Sequence, residues 1–477
     1  MRVTPLLPVM ALLWTSLAQA GPITIDISLA GQDQARALWV DMAFDGDGDG
    51  HTVVRLPDRF GYADELSRNV SDISIEGARL KTGPVGQLVL NHAPFAAIRL
   101  RYRVQTGPRI PSGLGVEQRP ALTNDGLAFL GETVIAYPEG RLDAPVMIRL
   151  GSPPVGWSLA SDIEGSGTST LRDARESYLV SGPTVRIVVR RLPDGSTLRV
   201  ALRGQFGFAD ADVADRAAVI VAYQRRFWEA PAAPFLITID EIPGRPGVTY
   251  WGGLGRGEDG AALYASRDVT LAKFSEVLAH EPAHAWFARA LGGLPAGAAE
   301  PEGYWFSEGF ADYLAYRTLA ETSVMSSDQL QWMFLITSPP EPVTLARMRT
   351  DYWRNPDLFD APYFQGFYLA LLWDERLRAT GKGLGLRDIL LAQAQLAAKA
   401  PGPTADKLFP ATYKSLSSLD LSADIARYLV RGERVELSSK VRLACGLENE
   451  APIPGNDEPV PLAKPEHCVS ALFGKGI

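Results

Sequence analysis

The stretch HEPAHAWF constrains this chain more than any other part of the sequence. It places two histidines four residues apart, His280 and His284, within a segment whose apolar residues recur at helical spacing. On one face of a helix, both imidazoles can reach a single zinc ion at about 2.0 to 2.1 Å. Glu281 points to the side, where it can take a proton from a water held by the metal. The chain has only five histidines, so a chance match is rare, on the order of a few in a thousand.

A proline interrupts this motif. Pro282 has no backbone N–H, so it removes the helical hydrogen bond to Leu278 and crowds that carbonyl, at a cost of about 3 kcal/mol in an ordinary helix. One interpretation is that the motif is accidental. The other is that the helix continues through a kink. At about 100° per residue, position 282 lies opposite the two histidines, so a bend away from the proline brings them together.

A zinc site of this type needs a third protein ligand. Glu308, in WFSEGFADY, follows His284 after 23 intervening residues and lies in the next strongly helical pattern. Asp312 comes one turn later, where its carboxylate can accept the second N–H of a ligating histidine. For both acids the alternative is a solvated charge on a helix surface. We expect Glu308 to complete the ligand set and Asp312 to orient a histidine.

Hydrophobic patterns divide the chain into a β-rich first part and a mainly helical second part. Short alternating or β-branched runs between turn residues predict an antiparallel β domain over residues 21–205. Helical periodicity then dominates. We expect an α+β multidomain fold, with the motif-bearing domain at 206–375, a helical segment at 376–445 and a Pro-rich tail at 446–477. The strands are predicted at ITIDISL, ALWVDMAF, TVVRLP, DISIEG, QLVLN, AIRLRYRV, TVIAYP, VMIRLG, TVRIVVRRL and TLRVALRG.

The loop DGDGDG, at Asp45–Gly50, has two interpretations. Its alternating aspartates are typical of the start of a calcium-binding loop. However, position twelve of that loop would be Leu56, where a bidentate glutamate is needed. We therefore favour a plain hairpin loop.

The first twenty residues predict export. Arg2 precedes an apolar stretch that ends near Leu17, and Ala18-Gln19-Ala20 forms a small-x-small cleavage site, as in a secretory signal peptide. A membrane anchor is the alternative, but the apolar stretch is too short to span a bilayer and prolines interrupt it. We expect a periplasmic or secreted mature chain that begins at Gly21 and has no stable membrane insertion.

Charge and cysteine content limit the partners and the compartment. The formal net charge of -8 argues against a nucleic-acid or anionic-membrane partner. The sequence does not indicate an oligomeric state. Cys445 and Cys468 are the only cysteines, and in an oxidising compartment we expect them to pair. Two free thiols are the alternative.

The succession of HEPAHAWF and WFSEGFADY resembles the gluzincin metallopeptidases, in particular the glycyl aminopeptidase family and the related membrane alanyl aminopeptidases. The resemblance covers roughly residues 22–445. It implies a β domain, a thermolysin-like catalytic domain and a C-terminal helical segment, without the PDZ domain that glycyl aminopeptidases usually carry. In these families a tyrosine in a PYxKG-like segment stabilises the oxyanion. Here APYFQG places Tyr363 at that position, with Gln365 in place of the lysine.

The strand before the motif departs from the family pattern. It usually reads Gly-Gly-hydrophobic-Glu, and here Gly252, Gly253 and Leu254 are the expected substrate-binding residues. The next residue is Gly255, so the carboxylate that binds a substrate's free amine is absent from that position. We therefore expect altered recognition of the N-terminal amine.

The resemblance implies an exported zinc metallopeptidase that holds one Zn²⁺ per chain and acts on peptides. It assigns catalysis to Glu281 and Tyr363, and metal ligation to His280, His284 and Glu308. The alternative is a catalytically inactive peptide-binding protein on the same fold, since a fold does not by itself fix an activity.

Overall fold

Sheets form the first part of the chain and helices dominate the second. The computed structural model describes residues 21–29, 37–81, 83–106, 118–163, 169–244, 248–253, 260–287, 291–295, 297–330, 341–399, 402–445 and 465–474. The expected signal peptide and most of the Pro-rich tail lie outside these residues. Within them, no helix is both long enough and apolar enough to cross a lipid bilayer.

Three sheets make up the N-terminal part. They contain β1 Ile23–Leu29, β2 Ala37–Asp45, β3 His51–Arg55, β4 Val70–Glu76, β5 Arg79–Lys81, β6 Gln87–Asn91, β7 Ala97–Gln105, β8 Ala121–Thr123, β9 Gly126–Leu130, β10 Tyr137–Pro138, β11 Pro145–Leu150, β12 Ser158–Ser161, β13 Ser169–Thr170 and β14 Tyr178–Gly182. The strand orders are β13-β11-β1-β2-β7-β4, β10-β3-β6-β5 and β12-β14-β9-β8. Neighbouring strands are antiparallel except β1 and β11, which run parallel.

The six-stranded sheet shows why the sequence pattern predicted these strands. Along β7, Ile98, Leu100 and Tyr102 are buried, and the side chains between them face outward. One outward residue, Arg99, pairs with Asp41 on β2, with 2.5 Å between guanidinium nitrogen and carboxylate oxygen. The alternation of apolar and charged residues is therefore the signature of one buried face. The β-rich first part of the chain is confirmed.

The predicted strand TVIAYP is mostly not a strand. Only Tyr137–Pro138 pairs with a neighbouring strand, and Gly131–Thr133 forms a 3-10 helix. The hydroxyl of Tyr102 donates to the carbonyl of Val134 at 2.9 Å and accepts from the N–H of Ala136 at 2.8 Å. The Tyr102 side chain thus bonds the backbone that a partner strand would otherwise bond. A local hydrophobic pattern does not reveal such a contact.

The DGDGDG loop is not a hairpin, because β2 and β3 belong to different sheets. The carboxylate of Asp47 accepts a hydrogen bond from the hydroxyl of Thr52 at 2.8 Å and also bonds the guanidinium of Arg141. Protein groups therefore hold this loop as a connection between two sheets.

A fourth sheet supports the motif helix. Its strands are β15 Arg186–Arg191, β16 Thr197–Arg203, β17 Phe235–Glu241, β18 Trp251–Gly253 and β19 Gly260–Ala265, in the order β15-β16-β17-β19-β18. The three central strands are parallel, and the two outer strands are antiparallel to their neighbours. The sheet extends across residue 205, since β15 and β16, which we expected in the first domain, join β17. Strand periodicity identifies a strand but not the sheet that it joins.

Helices pack on one face of this sheet, whereas its other face packs on the N-terminal part. Helices then continue to the C-terminal end of the described residues. Those that the structure describes are α1 Leu171–Glu176, α2 Asp210–Trp228, α3 Leu271–Phe287, α4 Tyr304–Glu321, α5 Leu345–Asp351, α6 Ala361–Ala379, α7 Leu386–Lys399, α8 Ala405–Ser417, α9 Ser439–Cys445 and α10 Pro465–Phe473. A short helix at Ser422–Asp424 runs into a π-helical turn at Ile425–Val430. Aromatic rings fill the centre of the helical part, where Trp373 on α6 stacks on Phe409 of α8 with 5.6 Å between ring centroids.

The predicted disulfide is confirmed. Cys445 at the end of α9 and Cys468 in α10 are bonded, with 4.4 Å between their Cα atoms, and both are fully buried. The helix α10 also packs on the core through Phe473, whose ring centroid lies 5.8 Å from that of Tyr313 on α4. The disulfide therefore ties α10 to α9, and the Phe473 contact holds α10 against α4.

Candidate metal centre

The three predicted metal ligands meet at one point. His280 and His284 on α3 and Glu308 on α4 each offer one donor atom, and these atoms lie within 4.8 Å of one another. The two Nε2 atoms are 2.9 Å apart, and Glu308 Oε2 lies 3.4 Å from His280 Nε2 and 3.2 Å from His284 Nε2. Tetrahedral ligation at about 2.0 to 2.1 Å sets donor separations near 3.3 Å. The donor set therefore fits one tetrahedral divalent ion.

The motif helix continues through Pro282. The helix α3 extends without interruption from Leu271 to Phe287, and Pro282 is buried inside it. The expectation that the helix tolerates this proline and keeps both histidines together is therefore confirmed. The helix lies on the parallel sheet and against α2, so packing stabilises it across the missing hydrogen bond.

Asp312 determines which nitrogen of His280 faces His284 and Glu308. It lies one turn after Glu308 on α4, and its carboxylate accepts a hydrogen bond from His280 Nδ1 at 2.6 Å. The proton on Nδ1 leaves Nε2 with a free lone pair directed toward His284 and Glu308. The structure therefore places Asp312 in contact with His280 rather than on a solvated helix face.

Charge is concentrated at this point. Burial opposes ionisation of Glu308, but the charges of His284 and His280 and their hydrogen bonds hold its pKa well below the usual range. Burial also opposes charging of His280, whereas Asp312 and Glu308 raise its pKa well above the ordinary value. The buried carboxylate thus requires positive charge beside it. A divalent cation supplies that charge without protons on the imidazoles.

The strand β18 passes directly over Glu281, whose side chain is only 8% exposed. A Cβ atom on Gly253 would lie 2.1 Å from Glu281 Cγ, and one on Gly252 would lie 2.3 Å from the hydroxyl of Tyr264. Only glycine allows this approach. Of the three expected substrate-binding residues, Gly253 therefore borders the candidate base, and Gly252 lies against Tyr264. The third, Leu254, and the following Gly255 lie outside the described residues.

Tyr363 lies in the first turn of α6, next to His280. Its ring is 5.7 Å from that of His280 between centroids, at an interplanar angle of 27°. Burial and the nearby charge of Glu308 raise its pKa well above the ordinary value. The phenol therefore stays protonated and can donate a hydrogen bond. Gln365 stands where the family pattern has a lysine. Its amide nitrogen donates to the carbonyl of Tyr428 at 2.5 Å, so this end of the side chain is held there.

A glycine contact that the sequence analysis missed sets the distance between α4 and α6. A Cβ on Gly309 would lie 2.3 Å from Gly366 Cα, and a Cβ on Gly366 would lie 1.7 Å from the carbonyl oxygen of Trp305. These glycines are next to Glu308 and one turn after Tyr363, so their contact determines how closely the two side chains approach. The available signal was Gly366 itself, because a glycine inside a helix costs about 1 kcal/mol and usually has a packing reason.

A second missed feature is an aromatic cluster that reaches the site from the N-terminal part. The ring of Tyr62 lies 5.4 Å from Trp353 and 6.1 Å from Phe359 between centroids, and Phe359 lies 5.5 Å from Tyr363. The first part of the chain therefore packs beside the candidate site. Long-range contacts of this kind leave no periodic signal in the sequence.

Comparison with known proteins identifies the fold. No protein-family model matches the chain, and no curated protein matches its sequence. Solved structures do match. An aminopeptidase N family protein from Idiomarina loihiensis is 17% identical, with 89% of this chain and 78% of that chain covered and a TM-score of 0.70. A variant M1 zinc metallopeptidase from Deinococcus radiodurans, bound to a Tyr-Ser-Ala substrate, is 14% identical, with 87% and 94% covered and a TM-score of 0.55.

A further structure, a two-domain M1 zinc metallopeptidase variant bound to L-tryptophan, is 16% identical, with 87% of this chain and 94% of that chain covered and a TM-score of 0.53. These likenesses show that the chain has the fold of M1 zinc metallopeptidases. The resemblance to gluzincins is therefore confirmed at the level of the fold.

We predict that Gly366→Ala destabilises the chain, because the added methyl group has no room against α4 and overpacking of this kind costs about 1 to 3 kcal/mol. The midpoint of thermal unfolding should fall by several degrees. Gly293→Ala is the matched control, because a Cβ there meets no atom within 4 Å. Equal midpoints for the two variants would show that the helices do not depend on this contact.

Proposed function

We propose that this chain is a zinc-dependent metallopeptidase that hydrolyses peptide bonds with a water activated by Glu281. The observation that carries the proposal is the convergence of His280, His284 and Glu308 at separations that suit one tetrahedral ion. The fold shared with M1 zinc metallopeptidases supports it. The Deinococcus radiodurans protein binds a Tyr-Ser-Ala substrate, and we assign peptides as the substrate class here as well.

We assign one zinc ion per chain to the site. Two imidazoles and one carboxylate suit zinc better than magnesium or calcium, which prefer oxygen ligands alone. His280, His284 and Glu308 would hold the ion, with one position left open. When bound, zinc acts as a Lewis acid toward the substrate carbonyl and lowers the pKa of water.

Glu281 is the proposed general base. It is buried next to the glycine strand, and its charge contributes to the raised pKa values of His280 and Tyr363, so it lies close to both. Its carboxylate would take a proton from the attacking water and give it to the departing amine nitrogen. A general base contributes roughly 10² to 10⁴-fold to the rate.

Tyr363 is the proposed donor to the oxyanion. Its phenol is protonated at neutral pH, and its ring stacks beside His280, so the hydroxyl can serve the oxygen that becomes negative as water adds to the carbonyl. The hydrogen bond that Asp312 accepts would keep His280 in the ligating tautomer during this step.

The substrate would lie along β18, in a thermolysin-like catalytic domain. The described part of this strand is the edge of its sheet, so one of its sides can pair with an extended peptide. The absence of a Cβ at Gly253 lets the strand lie against the Glu281 side chain, so a peptide paired with β18 would lie beside the proposed base. We assign Gly252 and Leu254 to substrate binding as well.

We also propose that amine recognition differs from that of an ordinary aminopeptidase. A buried ammonium without a carboxylate partner costs roughly 3 to 5 kcal/mol, so an exopeptidase needs an acidic anchor. Gly255 cannot provide one, and Glu258 and Asp259 come only after the sequence Gly-Arg-Gly. The cleft would then accept a chain that extends beyond the position of a free amine.

The enzyme is proposed to act outside the cytoplasm, in the periplasm or after secretion. The first twenty residues have the pattern of a signal peptide. The disulfide between Cys445 and Cys468 supports this location, because disulfides persist in oxidising compartments.

The central test of catalysis is Glu281→Gln. We expect the variant to bind one zinc per chain, measured by atomic absorption, and to cleave peptides about 10² to 10⁴-fold more slowly, because glutamine cannot accept the proton. The matched control is Glu276→Gln on the same helix. Burial raises the pKa of Glu276, and glutamine can accept the hydrogen bond that Tyr316 donates to it. Cleavage by the control should stay near that of the unmodified chain.

Two outcomes would contradict the assignment. Equal cleavage by the Glu281 variant and the unmodified chain would remove Glu281 from the mechanism. A zinc-loaded chain that cleaves none of a broad peptide library would favour the inactive peptide-binding protein.

Amine recognition is tested with one peptide in free-amine and acetylated forms. We expect values of kcat/KM that differ by less than about tenfold, because the position of the usual anchor is a glycine. A true amine anchor would discriminate by roughly 10² to 10⁴-fold, which corresponds to roughly 3 to 5 kcal/mol. A preference of that size for the free amine would refute the open cleft. Cleavage of both peptides by the Glu281→Gln variant gives the background rate.

A further inference from the structure

Pro282 leaves α3 with a backbone defect between the two histidines. It has no N–H to donate to the carbonyl of Leu278, and its ring crowds that carbonyl. Leu278 is 0% exposed, so bulk water cannot replace the missing donor. A buried carbonyl without a donor is costly. The helix is therefore weakened at this turn, and a bond from another element beside the gap would support it.

Gln224 on α2 supplies a bond of this kind, at the carbonyl next to that of Leu278. Its side-chain amide nitrogen donates to the carbonyl of Ala279 at 2.6 Å, and the residue is 0% exposed. The carbonyl can only accept, so this contact fixes which end of the amide faces α3. The other end, Oε1, has no hydrogen-bond partner among the described residues. Burying this oxygen without a partner costs free energy, which an apolar residue would avoid. The bond to the carbonyl of Ala279 therefore explains why a glutamine occupies this position.

A second bond between the same helices shows what is special about Gln224. Arg216 lies eight residues before Gln224 on α2. Its guanidinium donates to the carbonyl of Leu271 at 3.2 Å and to the hydroxyl of Ser275 at 2.5 Å. That bond reaches the first turn of α3, where no proline interrupts the helix. Gln224 reaches the carbonyl immediately before His280. Of the two contacts, only that of Gln224 lies beside the hydrogen bond that Pro282 removes.

We propose that Gln224 is a positioning residue for the metal centre. It holds the carbonyl before His280 in place beside the hydrogen bond that Pro282 removes, and so keeps both imidazoles at the separation that one ion requires. This inference rests on the proposed zinc site. Asp312 on α4 fixes the ring of His280, and Gln224 on α2 holds the carbonyl that precedes it, so these two helices together determine where its Nε2 lies.

The test is a double-mutant cycle of Gln224→Met and Pro282→Ala. Methionine keeps the volume of the side chain but cannot donate, and alanine restores the backbone donor. We expect Gln224→Met to raise the Kd for zinc about tenfold when Pro282 is present, as loss of a group that orients a ligand usually does. In the Pro282→Ala background the same change should alter the Kd less than about threefold. The Kd is measured by competition with a chelator, without any peptide.

Arg216→Met is the matched control for the other bond between α2 and α3. It should lower the thermal midpoint of the metal-free protein and leave the zinc Kd within about twofold in both backgrounds. Gln224→Asn, which keeps an amide but withdraws it by one methylene, serves if the methionine variant does not fold. It should raise the Kd in the same proline-dependent way.

Equal effects of the Gln224 variants in both backgrounds would overturn the assignment. So would a loss of thermal stability without a change in zinc affinity, because that result describes a purely structural residue. These outcomes leave the proposed peptidase intact. Failure of the unmodified chain to bind zinc would instead overturn the proposed function, and the assignment of Gln224 with it.

Discussion

The rest of the structure depends on one constraint, namely that three donor atoms from two helices meet with separations near 3.3 Å. Two come from α3 and one from α4, and the observed distances of 2.9, 3.2 and 3.4 Å satisfy this condition. The constraint also brings a carboxylate and two imidazoles together in a poorly solvated place. Such a group of charges is stable only if they neutralise one another or share a cation.

Elements outside the ligand set maintain this arrangement. The parallel sheet and α2 support α3, and Gln224 contacts its backbone at Ala279, just before His280. The glycine contact between α4 and α6 brings Tyr363 toward Glu308. From the N-terminal part, Tyr62 packs on the aromatic rings next to Tyr363. Each layer fixes the next, so the geometry at the centre is determined by packing that extends over most of the described chain.

The sequence revealed those parts of the site that local chemistry determines. Histidines four residues apart share a helix face by covalent geometry, and the need for a third ligand pointed to Glu308 in the next helical pattern. Contacts between distant elements could not be predicted in this way. The role of Gly366 depends on a crossing helix, that of Gln224 on a neighbouring one, and Tyr102 replaces a strand with its hydroxyl. Likewise, alternation located β15 and β16 but not the sheet to which they belong.

The most direct test of the account is the position of the metal. Crystals of the zinc-loaded protein, measured on both sides of the zinc absorption edge, should show one strong anomalous peak per chain within about 2.0 to 2.1 Å of His280 Nε2, His284 Nε2 and a carboxylate oxygen of Glu308. A peak elsewhere, or no peak between these side chains at saturating zinc, would contradict the central claim that they form a metal centre.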